Sequence, residues 1–183
     1  MAGGVGSRFW PMSRNARPKQ FLDVLGTGKT LIQQTYERFL KVCPKENIII
    51  VTNADYTSTV LEQLPDLHPD QVLSEPLRRN TAPCMVYAAN RILKLNPNAN
   101  MVVAPSDHVI MKEEAFIEAV KGCLAFTADQ DVLLTLGIKP SRPDTGYGYI
   151  QFIDDKVEKL NKISKVKTFT EKPDLEMAKF FLQ

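Results

Sequence analysis

The sequence has little of what marks secreted, zinc-binding or membrane proteins. Its three cysteines, at positions 43, 84 and 123 of 183, lie far apart and lack the C-x-x-C spacing of a zinc site. An odd number of separated cysteines predicts reduced, buried thiols. No apolar run approaches the roughly twenty residues of a membrane span, and no hydrophobic signal core opens the chain. We therefore expect a cytoplasmic protein without membrane contact.

An excess of charge is missing as well. The 23 basic and 21 acidic residues give a formal net charge of +2, which argues against a general nucleic-acid or membrane-surface binder. Acidic residues are nevertheless absent from residues 2–20, AGGVGSRFWPMSRNARPKQ, which contain four basic side chains. Any anion site must be local, and we expect it in this stretch.

Apolar runs alternate with amphipathic segments along the chain, with no repeat or linker. A length of 183 residues with 44% hydrophobic content favours one globular domain, or a large piece of a bigger one. The alternation predicts an α/β fold, a three-layer α/β/α sandwich with a Rossmann-like, mostly parallel sheet. In such sheets ligands bind outside the carboxyl ends of the strands.

Individual elements follow from the periodicity. Continuous β-rich runs predict buried parallel strands, and helical spacing of apolar residues predicts helices. The predicted mid-sheet strands are 47–52, 100–104 and 131–137; a β-rich extension contains strands 147–153 and 165–170; the helices are 31–42, 83–95 with a cap at Asn80 or Thr81, 113–127, and one opening near Asp174.

The glycines at positions 3, 4 and 6 suit close approach of the backbone to an anion, with N–H groups turned toward it. Arg8, Arg14, Arg17 and Lys19 add positive charge, which a partly closed site would not lose to screening. The combination suits a polyphosphate. The alternative is a disordered, solvated basic terminus.

Two common phosphate motifs fail on inspection. Counted from Gly4, the dinucleotide pattern G-x-G-x-x-G reaches Phe9 where its last glycine belongs. Gly28-Lys29-Thr30 resembles the end of a Walker A loop, but the first glycine of that loop would fall on Asp23, which also argues against a P-loop kinase. A turn followed by a helix start explains residues 26–30 better.

The opening stretch resembles the signature loop of the sugar-nucleotide pyrophosphorylases. Trp10 and Lys19-Gln20-Phe21 are similar to the mannose-1-phosphate guanylyltransferase branch of that family. Four further blocks resemble family blocks in the same order: SEPLRRNTAP (74–83), APSDHVI (104–110), GIKPSRPDTGYGYI (137–150) and FTEKP (169–173). The resemblance covers essentially the whole chain and implies the nucleotide-diphospho-sugar transferase fold.

The resemblance also implies a reaction. GMP would pass from GTP to mannose 1-phosphate, giving GDP-mannose and pyrophosphate, with Mg²⁺ as cofactor and no nucleic-acid partner; a homo-oligomer stays open. The attacking phosphate is already ionised, so no general base is needed. Alternatives are a relative that uses another nucleotide or hexose 1-phosphate, and a nucleotide-binding fragment without turnover.

Site residues carry over from the matching blocks. Arg8, Lys19 and Asp107 would be catalytic, with Asp107 also the metal ligand, although Asp107 could instead cap a helix. His108 is expected to orient or pack. Arg14 and Arg17 could each be a solvated loop charge. The resemblance assigns nucleotide binding to Ala2, Gly3, Gly4, Gly6, Ser7, Arg8, Glu75, Arg79, Asn80, Thr81 and Ser106, and sugar-phosphate binding to Lys19, Tyr147, Gly148, Glu171 and Lys172.

Within the block at 74–83, a buried carboxylate such as Glu75, or a backbone acceptor, would take the guanine protons, while Arg79 and Asn80 would donate to guanine or phosphate. Asn80 and Thr81 could equally cap the next helix. We expect a nucleotide-binding half at about 1–137 and the start of a sugar-phosphate part at about 138–183. Relative to the family, we expect the chain to lack a first apolar strand and a later segment with a second metal-binding aspartate.

Overall fold

A computed structural model of the chain describes residues 1–4, 9–75, 81–153 and 163–182. The chain forms two compact units, Met1–Leu124 and Ala125–Gln183. The sequence analysis divides the chain near residue 137 by the ligand that each part would bind. The compact units do not test that division, so it stays a prediction. Helices and a parallel strand pair give the α/β architecture that the sequence predicts.

The first unit alternates helices with parallel strands. Its elements are α1 (Leu31–Leu40), β1 (Ile50–Asn53), α2 (Thr57–Gln63), β2 (Val72–Glu75), α3 (Thr81–Leu95) and the start of α4 (Glu113–Asp129), which continues into the second unit. Strands β1 and β2 pair in parallel, with Ile50 opposite Val72 and Asn53 opposite Glu75. Both strands therefore end side by side, the edge where an α/β sheet binds ligands.

The core of the first unit packs α1 and α2 against this strand pair. Phe21, Ile32 and Val60 are almost completely buried, and the Phe21 ring lies 5.7 Å from that of Tyr56. Burying a large apolar side chain stabilises a fold by about 1.5–3 kcal/mol. The sequence did not predict α2 or β2, because each is short and its apolar residues make no long periodic pattern.

The second unit contains a short antiparallel ladder, as the β-rich extension predicts. β3 (Tyr149–Phe152) pairs with β4 (Val166–Thr170), with Tyr149 opposite Thr170. Helix α5 (Leu175–Phe180) begins after Asp174, whose carboxylate accepts a hydrogen bond from the Met177 N–H at 2.8 Å. The predicted helix start near Asp174 is thus confirmed as an N-cap.

Two predicted strands are not formed in the described part of the chain. Residues 100–104 and 131–137 belong to no strand, and Leu133 is fully exposed rather than mid-sheet. In the first unit a cavity of about 340 Å³ is lined by residues 48–51, 99–104 and the apolar side of α3. An apolar run becomes a strand only when a neighbour supplies a ladder, and the sequence pattern does not report that neighbour.

The three cysteines are free thiols, as expected, but only Cys84 is fully buried. Burial raises the pKa of Cys43, Cys84 and Cys123. All three are therefore poor nucleophiles near neutral pH. Among the described helices, none combines the length and apolar character needed to cross a membrane.

An ion-pair group fastens α4 to α1. Glu113, the first residue of α4, accepts a hydrogen bond from Lys41 Nζ at 2.6 Å and from Arg38 Nε at 3.3 Å. The Arg38 side chain is only 5% exposed and that of Glu113 is 33% exposed. The bond from Lys41, with the charges of Lys41 and Arg38, lowers the pKa of Glu113. A carboxylate on the first turn is also favoured by the helix dipole.

We predict that Glu113→Gln lowers the free energy of unfolding by about 1–2 kcal/mol at pH 7, because it leaves the buried Arg38 cation without its counter-ion. A lowered folded-state pKa adds stability above the ordinary glutamate pKa, about 4.3, and this stability is lost as pH falls through the folded value. The difference from the wild type should therefore shrink as the pH falls below the ordinary glutamate pKa. Denaturant unfolding at several pH values measures it.

Glu37→Gln is the matched control, since Glu37 pairs with Lys29 at 2.7 Å on the exposed surface. Such a pair is worth about 0–1 kcal/mol, so this variant should unfold nearly like the wild type. Equal losses in the two variants would contradict the role given to Arg38 burial.

Candidate functional site

The first residues of the chain are fixed by backbone hydrogen bonds. The Ala2 N–H donates to Val51 O at 2.7 Å, and the Met1 ammonium donates to Ala104 O at 3.0 Å. Met1 O in turn accepts from the Ser106 N–H at 3.0 Å and from Ser106 Oγ at 2.8 Å. The alternative of a disordered, solvated terminus is therefore wrong for residues 1–4.

These bonds bring Gly3 to the carboxyl ends of β1 and β2. A Cβ added at Gly3 would lie 3.7 Å from the Asn53 nitrogen and 3.8 Å from Glu75 Oε2, and Asn53 and Glu75 are the last residues of the two strands. None of the described residues accepts a hydrogen bond from the N–H groups of Gly3 and Gly4. The structure thus brings together Ala2, Gly3, Glu75 and Ser106, four of the predicted nucleotide-binding residues.

Gln20 has no side-chain role in the sequence-based prediction, yet it contacts this segment directly. Its Nε2 donates to Ala2 O at 2.7 Å and to Gly4 O at 2.9 Å, and Thr52 Oγ1 also donates to Ala2 O at 3.1 Å. Gln20 is 3% exposed. Its place in the Lys-Gln-Phe block was the only available signal, since the sequence does not show which carbonyls it reaches.

Lys19 and Asp107 also meet. Lys19 Nζ lies 3.7 Å from Asp107 Oδ2, with side-chain exposures of 19% and 37%, and 4.5 Å from the centroid of the Phe9 ring. Lys19 starts the 3₁₀ turn Lys19–Phe21, whose other end is held by the buried Phe21. An ammonium and a carboxylate, far apart in sequence, therefore face one another in one partly open site.

The other predicted residues separate into three groups. Arg14 and Arg17 are exposed and joined by a backbone bridge, which favours their reading as solvated loop charges. His108 and Thr81 are also exposed. Thr81 is the first residue of α3 rather than its cap. Gly6, Ser7, Arg8, Arg79 and Asn80 lie outside the described residues.

The Walker-like loop already contains its own anion. The Asp23 carboxylate accepts from the Thr27 N–H at 3.0 Å and from the Gly28 N–H at 2.7 Å, and these backbone bonds lower its pKa. Gly26 and Gly28 adopt φ of 67° and 79°, as a turn requires. The turn predicted at 26–30 is confirmed.

A metal site built only from protein ligands is not present in the described ranges, where no three His, Cys, Asp or Glu residues cluster. Mg²⁺ in nucleotide sites is commonly held by one or two carboxylates together with substrate phosphates. A partly exposed Asp107 that faces Lys19 fits that arrangement. Asp107 is thus a suitable single ligand for a metal that arrives with a phosphate.

In the second unit, Gly148 and Glu171 are in close contact. A Cβ added at Gly148 would come within 2.8 Å of Glu171 Oε2. Lys172, with an unusual φ of 44°, places its Nζ 3.0 Å from Glu171 Oε1. A left-handed non-glycine residue is uncommon and is found preferentially at functional sites. Three predicted sugar-phosphate residues are therefore grouped, while Tyr147 is exposed nearby in sequence.

Comparison with known proteins covers the whole chain. The sequence profile of the family described as "Nucleotidyl transferase" matches residues 1–183. The chain is 37% identical over 190 residues to a mannose-1-phosphate guanylyltransferase of Escherichia coli, and 40% identical over 184 residues to the xanthan biosynthesis protein XanB of Xanthomonas campestris pv. campestris. These matches include 100% of this chain but 40% and 38% of the two relatives.

A solved structure described as mannose-1-phosphate geranyltransferase from Thermus thermophilus superposes with a TM-score of 0.85 at 34% identity. It matches 100% of this chain and 51% of that one. The predicted fold class is thereby confirmed, and the chain spans well under half the length of the two sequence relatives. With a profile match along its full length, this chain belongs to the nucleotidyl transferase family.

Proposed function

We propose that this chain provides the nucleotide-binding part and the start of the sugar-phosphate-binding part of a mannose-1-phosphate guanylyltransferase, which transfers GMP from GTP to mannose 1-phosphate. The observation that carries the proposal is the Lys19–Asp107 pair at 3.7 Å. An ammonium that suits phosphates and a carboxylate that suits a metal support it, together with the glycine backbone at the carboxyl ends of β1 and β2. The name of the E. coli relative, mannose-1-phosphate guanylyltransferase, supplies the substrate class.

The reaction joins two anions, and the residues act on their charge. An oxygen of the sugar phosphate attacks the α-phosphorus of GTP, a new P–O bond forms, and the bond to the bridging oxygen breaks to release pyrophosphate. The nucleophile needs no deprotonation, so positioning and charge neutralisation supply the rate. Lys19 would neutralise the α-phosphate and the incoming phosphate together.

The glycine segment, which runs from Ala2 to Gly4 in the described part of the chain, would bind the nucleotide phosphates. Gly3 and Gly4 can donate their N–H groups, and Arg8 would hold the β- and γ-phosphates. Glu75 Oε2, 3.8 Å from a Cβ placed at Gly3, would accept from the guanine edge. Arg79 and Asn80 stay predicted as donors to guanine or phosphate.

Asp107 would hold Mg²⁺ with the substrate phosphates, and the ion would supply neutralisation of the leaving pyrophosphate. In this role the Asp107 carboxylate would pair with the metal ion rather than with Lys19 alone. Lys19 is then free to pair with phosphate instead. Lys19 and Asp107, which pair with each other here, would thus pair with the phosphates and the metal ion when substrate binds.

The second unit would bind the sugar phosphate. Glu171 suits the acceptance of hydrogen bonds from hexose hydroxyl groups, and Lys172 suits its phosphate. Gly148 leaves room for the Glu171 carboxylate, since any side chain there would collide with it. Tyr147 stays a predicted contact.

The substrate assignment predicts a preference among nucleotides. The 183-residue chain should bind GTP more tightly than ATP, CTP or UTP in isothermal titration, and with mannose 1-phosphate and Mg²⁺ should release pyrophosphate. Preference for another nucleotide or for glucose 1-phosphate would support the related-pyrophosphorylase alternative. GTP binding without pyrophosphate release would support the non-catalytic alternative. No binding of any nucleotide would contradict all three.

Removing the Lys19 charge should damage this site specifically. Lys19→Met keeps a side chain of similar length but loses the ammonium, so kcat/KM should fall about a hundredfold, as on loss of one strong transition-state donor. Pyrophosphate release measures it, with GTP affinity as the readout if turnover is absent. The control Lys29→Met removes an exposed lysine that is paired with Glu37. Equal effects of the two variants would contradict the assignment.

The sugar side is tested at Gly148. In Gly148→Ala the new methyl group displaces the flexible Glu171 carboxylate, so affinity for mannose 1-phosphate should fall about tenfold while GTP affinity is kept. Stability should change by less than about 1 kcal/mol, because only a side-chain end must move. Gly137→Ala, with no described atom within 4 Å of the added Cβ, is the matched control. Unchanged sugar-phosphate affinity in Gly148→Ala would remove Glu171 from the site.

A further inference from the structure

We infer that Gln20 is a positioning residue, which orders the glycine segment for a nucleotide phosphate by holding the carbonyl oxygens of Ala2 and Gly4. The inference rests on the proposed function for its ligand, but not for its geometry. Gln20 Nε2 lies 2.7 Å from Ala2 O and 2.9 Å from Gly4 O, so both amide protons are used within one segment.

Two acceptors fix the orientation of the Gln20 amide. The NH₂ group is a double donor and Oε1 is an acceptor only, so reversing the amide would set an oxygen against two carbonyls. Burial strengthens the preference, because Gln20 is 3% exposed and an unpaired polar group at such a position is costly. The side chain therefore holds the two carbonyls in one arrangement.

Holding a carbonyl also sets the direction of an N–H. In a planar trans peptide the C=O and N–H groups point in opposite directions, so fixing Ala2 O directs the Gly3 N–H away from Gln20. Thr52 Oγ1 adds a second bond to the same carbonyl, at 3.1 Å. The Gly3 N–H, which donates to none of the described residues, therefore points away from the buried Gln20 side chain.

Glycine makes such a restraint necessary. Residues without a Cβ explore more backbone conformations than any others, and ordering them on binding costs affinity. At Ala2 the backbone is pinned through Val51 O, but Gly3 and Gly4 have no comparable ladder bond in the described residues. Gln20 bridges both sides of Gly3, and thus restrains the part of the segment that the strands do not.

The anchor of Gln20 is itself rigid. It lies between Lys19 and Phe21 in one 3₁₀ turn, and Phe21 is fully buried against Tyr56. The turn that positions the Lys19 ammonium therefore also positions the glycine backbone. The cation and the backbone N–H donors proposed to bind the substrate are therefore positioned by the same turn.

Gln71 offers a matched control elsewhere in the same unit. Its Nε2 donates to Lys45 O at 2.7 Å and to Ile48 O at 2.8 Å, the same double contact with backbone carbonyls. Gln20→Met removes two such bonds. Gln71→Met removes two as well, together with the bond that the His68 N–H donates to Gln71 Oε1 at 2.9 Å, so the control loses at least as many bonds. Only the first removes them from the glycine segment.

The test combines backbone dynamics with binding. In ¹⁵N relaxation of the ligand-free 183-residue chain, order parameters of the Gly3 and Gly4 amides should fall below about 0.6 in Gln20→Met and stay near the wild-type value in Gln71→Met. The dissociation constant for GTP should rise about tenfold in Gln20→Met alone, with mannose 1-phosphate affinity kept in both. Unchanged glycine order, or equal weakening by both variants, would overturn the inference.

Two further outcomes are decisive. If the wild type binds no nucleotide, the proposed function fails, and the glycine order parameters still decide the role of Gln20. If Gln20→Met does not fold, exchange of the Gln20 side-chain amide protons in the wild type provides the test. Those protons should exchange at least about tenfold more slowly than the more exposed ones of Gln34, and equal rates would overturn the inference.

Discussion

The hydrogen bond from the Ala2 N–H to Val51 O is the contact on which the candidate site depends. With the bonds between Met1 and residues 104–106, it fixes the start of the chain beside β1. The placement of groups at the strand ends follows from this attachment, because Gly3 then lies against the ends of both strands and Asp107 directly follows the segment that binds Met1. A glycine-rich terminus becomes a defined surface because its first two residues are bonded to ordered backbone.

Polar contacts then connect this surface to a buried apolar anchor. Phe21 belongs to the core of the first unit, and the two residues before it reach outward to different parts of the site. Lys19 meets a carboxylate and Gln20 meets two carbonyls. Hydrophobic burial supplies the energy that holds the turn, and the short range of hydrogen bonds supplies its precision. The position of the Lys19 ammonium and the backbone geometry of residues 2–4 are therefore set by one turn rather than by separate loops.

The sequence predicted much of this and missed parts of it for physical reasons. Helix periodicity located α1 and α4 to within two residues at each end, and Asp174 was identified as a helix start. The runs at 100–104 and 131–137 resemble strands because they are short, apolar and rich in β-formers, but strand formation needs a neighbour, which composition does not encode. Lys19 and Asp107 were chosen through a family resemblance, and the structure brings them together. Gln20 was missed because its partners are main-chain oxygens, which have no sequence signature.

The Asp23 turn shows how a glycine-containing loop can be closed to a polyphosphate by a carboxylate of its own. Its N–H groups at Thr27 and Gly28 already receive an intramolecular carboxylate, at a local concentration that no soluble phosphate reaches. The loop therefore occupies its own donors. Among the described residues, the Gly3 and Gly4 N–H groups have no such internal acceptor, so the two loops differ in their free donors although both contain glycine.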